Sequence, residues 1–308
     1  MKLVFINVFI LFTLMFIGFY IGNKGKIKHS SISDFTTLLI DISIPATIIV
    51  SMIRPYSKSL MTDTIRVIII LAIYHLSIAL ISYIVTKIMK VDDKKRGSWI
   101  FGMVFSNNGF IGFPLMYAIY GKDGLFIMAM GNIVQNLLIF SLGVELVNMG
   151  HDKKDKVSLR QVLFTRQNAA IMIGLILFIT QIHVYKPVIE ILTYLSNLTA
   201  PLSMIIVGLS LSRYDIKNML RDFEAYRLTV FRMIIVPIII VVIFKVFGIH
   251  ANLDLPFAIL FYTAVLPSPA LLAIFAERYN ASKEFASRCV FLTTVLSVIT
   301  VPIFAAFL

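Results

Sequence analysis

The chain has 308 residues, 59% of them hydrophobic and 14% charged, with a mean hydropathy of +0.91 and a formal net charge of +12. That balance excludes a soluble domain and describes an all-α integral membrane protein. The single cysteine, Cys289, excludes an internal disulfide and reads as a small packing residue.

Apolar stretches of spanning length fall at about 3–22, 35–53, 64–89, 98–120, 124–148, 168–184, 188–212, 227–247, 253–277 and 285–307, which predicts ten transmembrane helices. Lys2 precedes the first run as in a signal peptide. The run is long, however, and no small-x-small cleavage site precedes Asn23-Lys24, so it is read as a span. Span two, IDISIPATIIVSMI, carries Pro45 and an acid, Asp41, about 10 Å deep counting from Phe35. A charge at a helix centre costs about 3 kcal/mol or more, so Asp41 is a candidate coupling residue, with hydrogen bonding to neighbouring helices as the plainer role. His75 in span three reads as structural.

Span four is interrupted. SNNGFIGFPLMYAIYGKDGL, residues 106–125, is apolar enough for the bilayer yet contains Asn107, Asn108, Gly109, Gly112 and Pro114. A break at membrane depth frees backbone groups, which is tolerated only inside protein or against a wet cavity. The half-helix after the break presents free N–H groups and a partial positive charge, suited to an anion. Pro114 fits a first helical turn, the two Asn supply amides, and the two Gly permit close approach. Span nine repeats the pattern in AVLPSPALLAIFAERY, residues 264–279, with Pro267, Ser268 and Pro269. Paired breaks in corresponding places of two halves point to a transporter binding site. Span five carries Asn132, Gln135 and Asn136, and span ten carries Thr293, Thr294 and Ser297. These could line the cavity or hydrogen-bond between helices.

Residues 1–148 then form a first five-helix repeat, 149–167 a polar cytoplasmic linker and 168–308 a second repeat, inverted because each half has an odd number of spans. The basic residues divide by loop. Twenty-one lie on one side, including Lys24, Lys94, Lys153, Arg166, Arg213, Arg232 and Arg288, and seven on the other. The rich side is cytoplasmic, which places both termini outside a cell membrane. The charge is therefore a topology signal and a lipid-headgroup contact, and no nucleic-acid partner is called for.

NNGFIGFPL, IPATII and above all LPSPALLAIFAERYNASKEFASRCVFLTTVLSVITVPIF resemble the auxin efflux carrier family of prokaryotic permeases, over essentially the full chain. The resemblance implies a scaffold of spans 1, 2, 6 and 7, a mobile unit of spans 3–5 and 8–10, and crossing broken helices 4 and 9. It also implies elevator-type secondary transport of small organic anions such as dicarboxylates or indole acids, with the site at Asn107, Asn108, Gly109 and Pro114 and at Pro267, Ser268 and Pro269. No cofactor is implied. Proton or sodium coupling and a homodimer stay open, as do a sodium-coupled bile-acid-symporter-like carrier and a non-transporting membrane sensor. An enzyme is not expected, because no HExxH, GxSxG or compact nucleophile constellation is present.

Overall fold

The computed structural model describes residues 2–28, 30–150, 165–249, 253–279 and 281–306, and every regular element among them is helical. Most of the expected linker, 151–164, lies outside the described residues. Helix α1 is Lys2–Asn23, α2 is Ser31–Met52, α3 is Lys58–Ile88 and α4 is Asp93–Val104. Helix α5 covers 108–120 and α6 covers 122–147. They are followed by α7 (Arg166–Thr180), α8 (Lys186–Leu211), the short α9 (Ile216–Met219), α10 (Phe223–Val246), α11 (Leu255–Val265), α12 (Leu271–Arg278) and α13 (Lys283–Ala305).

Seven stretches are long and apolar enough to cross a membrane, against ten expected from the sequence. The difference has physical causes. Asp93–Val147 counts as one stretch although it is broken at 105–107 and again at Gly121, whose φ of 60° and ψ of −145° leave the helical region. Helix α7 has 15 residues and α11 has 11, both short of a full crossing. Phe9, Ile73, Leu80, Ile88 and Val246 are exposed, an outer surface suited to lipid.

Three prolines share one local device. Pro45, Pro114 and Pro237 each stand two residues after a wide π-turn, Leu39–Ser43, Asn108–Gly112 and Phe231–Ile235. Proline donates no hydrogen bond and its ring crowds the carbonyl four residues back, and one residue of extra girth relieves that conflict without ending the helix.

Two kinds of contact hold the helices together. Between α1 and α8 the backbones nearly touch: a Cβ on Gly18 would lie 2.3 Å from the Ile205 carbonyl oxygen, and one on Gly208 would lie 1.9 Å from that of Met15. Gly174 of α7 leaves room for the Met52 side chain of α2, and the Thr47 hydroxyl meets that of Thr199 at 2.6 Å. Such small-residue seams gain van der Waals contact where lipid supplies no hydrophobic drive. Elsewhere the contacts are ionic. The connection from α8 to α10 is fastened by Asp222, which accepts from Lys95 at 2.9 Å and Arg288 at 3.3 Å. Burial works to raise the Asp222 carboxyl, but the Lys95 hydrogen bond and charge, together with the Glu224 and Ala225 backbone N–H groups, outweigh it and hold the group below its usual range.

Gly208→Ala is expected to destabilise the protein by about 1–3 kcal/mol, the usual cost of overpacking. Thermal melting of the purified protein checks this; an unchanged melting temperature would mean that α1 and α8 do not meet at this seam.

Candidate functional site

The breaks at 105–107 and 266–270 cross each other, and each supplies the hydrogen bonds that the other lacks. A helix ends with four carbonyls that have no partner within it. In α4 all four are accounted for. The Phe101 carbonyl accepts from the Phe105 N–H, Gly102 from the Ser268 hydroxyl at 2.8 Å, Met103 from Arg232 at 2.7 Å and Val104 from the His75 Nδ1 at 2.9 Å. Since a carbonyl can only accept, His75 carries its proton on Nδ1. In α11 the Tyr262 carbonyl accepts from the Leu266 N–H, and the Thr263 carbonyl from both the Ser106 hydroxyl and Arg232. The exchange is reciprocal: Ser106 from the first break serves α11, and Ser268 from the second serves α4. The Asn107 N–H closes the crossing on the Pro267 carbonyl at 2.9 Å.

The neighbouring helices hold these serines in place. Gln135 of α6 takes the Ser106 N–H at 3.1 Å and donates to the Ser106 carbonyl at 2.9 Å. Thr293 of α13 accepts the Ser268 N–H at 3.2 Å. Beneath both breaks lies Arg232, fully buried, with donors to the Leu266, Met103 and Thr263 carbonyls and to the hydroxyls of Tyr74 and Ser106.

Above the crossing a cavity of about 660 Å³ is walled by α2, α6, the start of α7 and the two breaks. Its polar side is Asn107, Asn132, Gln135 and Asn136; its apolar side includes Ile40, Ile44, Phe110, Ile139, Phe140 and Ile274. The first residues of both second half-helices border it, Asn107, Gly109 and Phe110 of one and Pro269 to Leu271 of the other. Arg166 also reaches the wall and donates to Asp41 at 2.9 Å. Asn136 meets Asn168 of α7 at 3.3 Å.

The sequence candidates therefore separate by position. Asn107, Gly109, Pro269, Asn132, Gln135, Asn136 and Asp41 line the cavity. Asn108 is buried behind it, donating to Asn132 at 3.3 Å, with its Oδ1 lacking a partner among the described residues. Gly112 packs under Met128 and Leu266, Pro114 is buried in α5, and Pro267 and Ser268 lie in the crossing itself. Thr293, Thr294 and Ser297 are buried in α13 away from the cavity wall, bonding within the crossing or to their own helix. Asp41 is no lone charge, because Arg166 pairs with it.

Arg232 and Arg166 were counted in the sequence only as cytoplasmic-side charges, and the burial of Arg232 corrects that reading for one of them. Its signal was depth: it stands nine residues into α10, about 14 Å from the helix start. The Arg166 signal was weaker, since nothing local shows that it faces Asp41.

A family model described as membrane transport protein matches residues 3–305. The chain belongs to that family, the auxin efflux carrier-like permeases. An uncharacterized transporter of Methanothermobacter thermautotrophicus is 25% identical over 295 residues, covering 96% of this chain and 95% of its own. An uncharacterized transporter of Methanocaldococcus jannaschii is 23% identical over 305 residues, covering 96% of each. Membership makes this a multi-pass membrane transport protein, and the cavity at the crossing is the feature of this family member that calls for a chemical account.

Gln135→Leu strips both partners from the Ser106 backbone, and each buried group left unpaired costs about 1–3 kcal/mol. A lower melting temperature than that of the paired control Asn136→Leu is expected; equal melting would mean that the Gln135 clamp is not formed.

Proposed function

We propose that this protein is a secondary carrier of small organic anions, working by elevator-type alternating access in a ten-span, five-plus-five inverted arrangement. One observation carries the reading. Two half-helix N-termini and one arginine border a single cavity. Helix starts favour anions through their partial positive charge, and an arginine adds a planar donor fork matched to carboxylate. The apolar side gives room for the body of the substrate.

The span count follows from dividing Asp93–Val147 at Gly121 and adding α7 and the α11–α12 pair to the seven long stretches. The reciprocal serine exchange supports the inverted repeat, because an exchange of this kind is what two related halves crossing about an in-plane axis would make. With the basic-rich loops cytoplasmic, both termini lie outside and the cavity, which borders the start of α7, faces inward.

In this reading α3–α6 and α10–α13 move as one body against α1, α2, α7 and α8. The crossing is densely hydrogen-bonded within the moving body. Polar contacts between body and frame are sparse: Asn7 to the Ala118 carbonyl, Arg54 to Asp123, and Asn136 to Asn168. Few such bonds have to be exchanged for the body to slide. Asp41 holds Arg166 on the frame side, so an entering carboxylate competes with Asp41 for one guanidinium, which makes Asp41 the candidate for coupling substrate entry to a change in the site.

Uptake of a panel of radiolabelled mono- and dicarboxylates into proteoliposomes tests the function. At least one carboxylate is expected to accumulate, with Asn107→Ala and Arg166→Ala each raising its KM about tenfold or more, the scale of one lost charge-assisted hydrogen bond. Transport of neutral amides in preference to acids would refute the anion reading. For the topology, reporter fusions at both ends are expected to be active outside only, and a cytoplasmic C-terminus in folded protein would overturn the ten-span arrangement.

A further inference from the structure

Arg232 is an unusual tenant of a membrane protein interior. It is fully buried, nine residues inside α10, and its five hydrogen-bond partners are three main-chain carbonyls and two hydroxyls, with no carboxylate among them. A buried cation without a counter-charge is strongly unfavourable unless oriented dipoles replace the lost water. Here they do. The Met103 and Thr263 carbonyls belong to the C-terminal turns of α4 and α11, the negative ends of two half-helix dipoles, and the Leu266 carbonyl lies in the break just beyond α11.

That donor set has a second meaning. Carbonyls of unwound backbone and half-helix C-terminal ends are what coordinate the coupling sodium in carriers built on broken helices, and a hard cation of that kind takes neutral oxygens from main chain and hydroxyl alike. In this chain the same oxygens converge on a guanidinium tethered to α10. The wide π-turn Phe231–Ile235 that accommodates Pro237 contains that residue, and such turns are frequent at functional sites.

We propose that the Arg232 guanidinium is a built-in replacement for a coupling cation: it clasps the negative ends of the two broken helices permanently, so that the carrier assembles its crossing without sodium. Arg232 is thus a positioning residue, acting on the substrate cavity through Ser106, which it touches and which lines that cavity. The transport consequence rests on the carrier reading above; the cation replacement does not.

The protein supplies its own probe. Trp99 is the only tryptophan, fully buried, and its ring meets Phe231, the neighbour of Arg232, at 5.8 Å between centroids. Purified full-length protein is melted, and Trp99 emission recorded, in sodium chloride and in choline chloride at equal ionic strength. Wild type is expected to behave identically in the two salts. Arg232→Ala is expected to melt lower and to regain at least half of the loss with millimolar methylguanidinium or sodium, and none with choline. Arg232→Lys, which keeps the charge and three donors, is expected to fall between wild type and Ala. Saturable, sodium-specific stabilisation of wild type would overturn the proposal, as would an Ala variant that no cation restores. If the Ala variant does not fold, the wild-type salt comparison and the Lys variant decide alone. The proteoliposome assay, repeated with choline in place of sodium, separates the two readings: sodium-dependent uptake refutes the cation replacement and keeps the carrier, whereas absent uptake with the expected Trp99 results refutes the carrier and keeps the replacement.

Discussion

The structure turns on one constraint, that no backbone polar group can go unpaired at membrane depth. A chain that breaks two helices there frees carbonyls and N–H groups in a medium that offers no water to take them. The crossing answers this by making each break the partner of the other, through Ser106, Ser268, Asn107 and the clasp of Arg232. Unpaired carbonyls are consumed on one side of the crossing, while the starts of the second half-helices turn to the cavity on the other. The half-helix starts that border the cavity are thus the complement of the same breaks.

The helices outside the crossing follow a different logic. Gly18 against Ile205 and Gly208 against Met15 bring backbones together by removing side chains, and Gly174 makes room for the Met52 side chain. The contacts of these glycines are made with main-chain and apolar atoms, and their fit depends on shape. Helices fitted by shape and helices held by directed bonds differ in what they tolerate: the first resist sliding against one another, and the second resist any change in the angle of the crossing.

The breaks were legible because proline and glycine leave a mark that hydropathy cannot hide. Pro114, Pro267 and Pro269 announced them, whereas of the ten spans that hydropathy suggests, seven stretches are long and apolar enough to cross. What stayed hidden was partnership. Nothing near Asp41 points to Arg166, 125 residues away. Nothing near Ser106 points to Thr263. Arg232 was read as a headgroup contact because long basic side chains commonly snorkel from shallow positions, and its depth alone argued otherwise. Asn108, Gly112 and Ser268 carried the right chemistry for a cavity but serve the walls behind it, a distinction of facing that a broken helix does not reveal, since its periodicity restarts at the break.

Gly121 also bears on where the chain keeps slack. Helices α5 and α6 meet at this one residue, in a left-handed turn with no loop to either side, and α3 passes to α4 through 89–92. Joints that short transmit a displacement whole. Among the described residues a longer connection, 212–222, separates α8 from α10, and α2 passes to α3 through 53–57. The Gly121 joint therefore couples α5 to α6: a displacement of Asn107, Gly109 and Phe110 at the cavity is carried along the chain, without an intervening loop, to Asn132, Gln135 and Asn136 on α6, which line the same cavity.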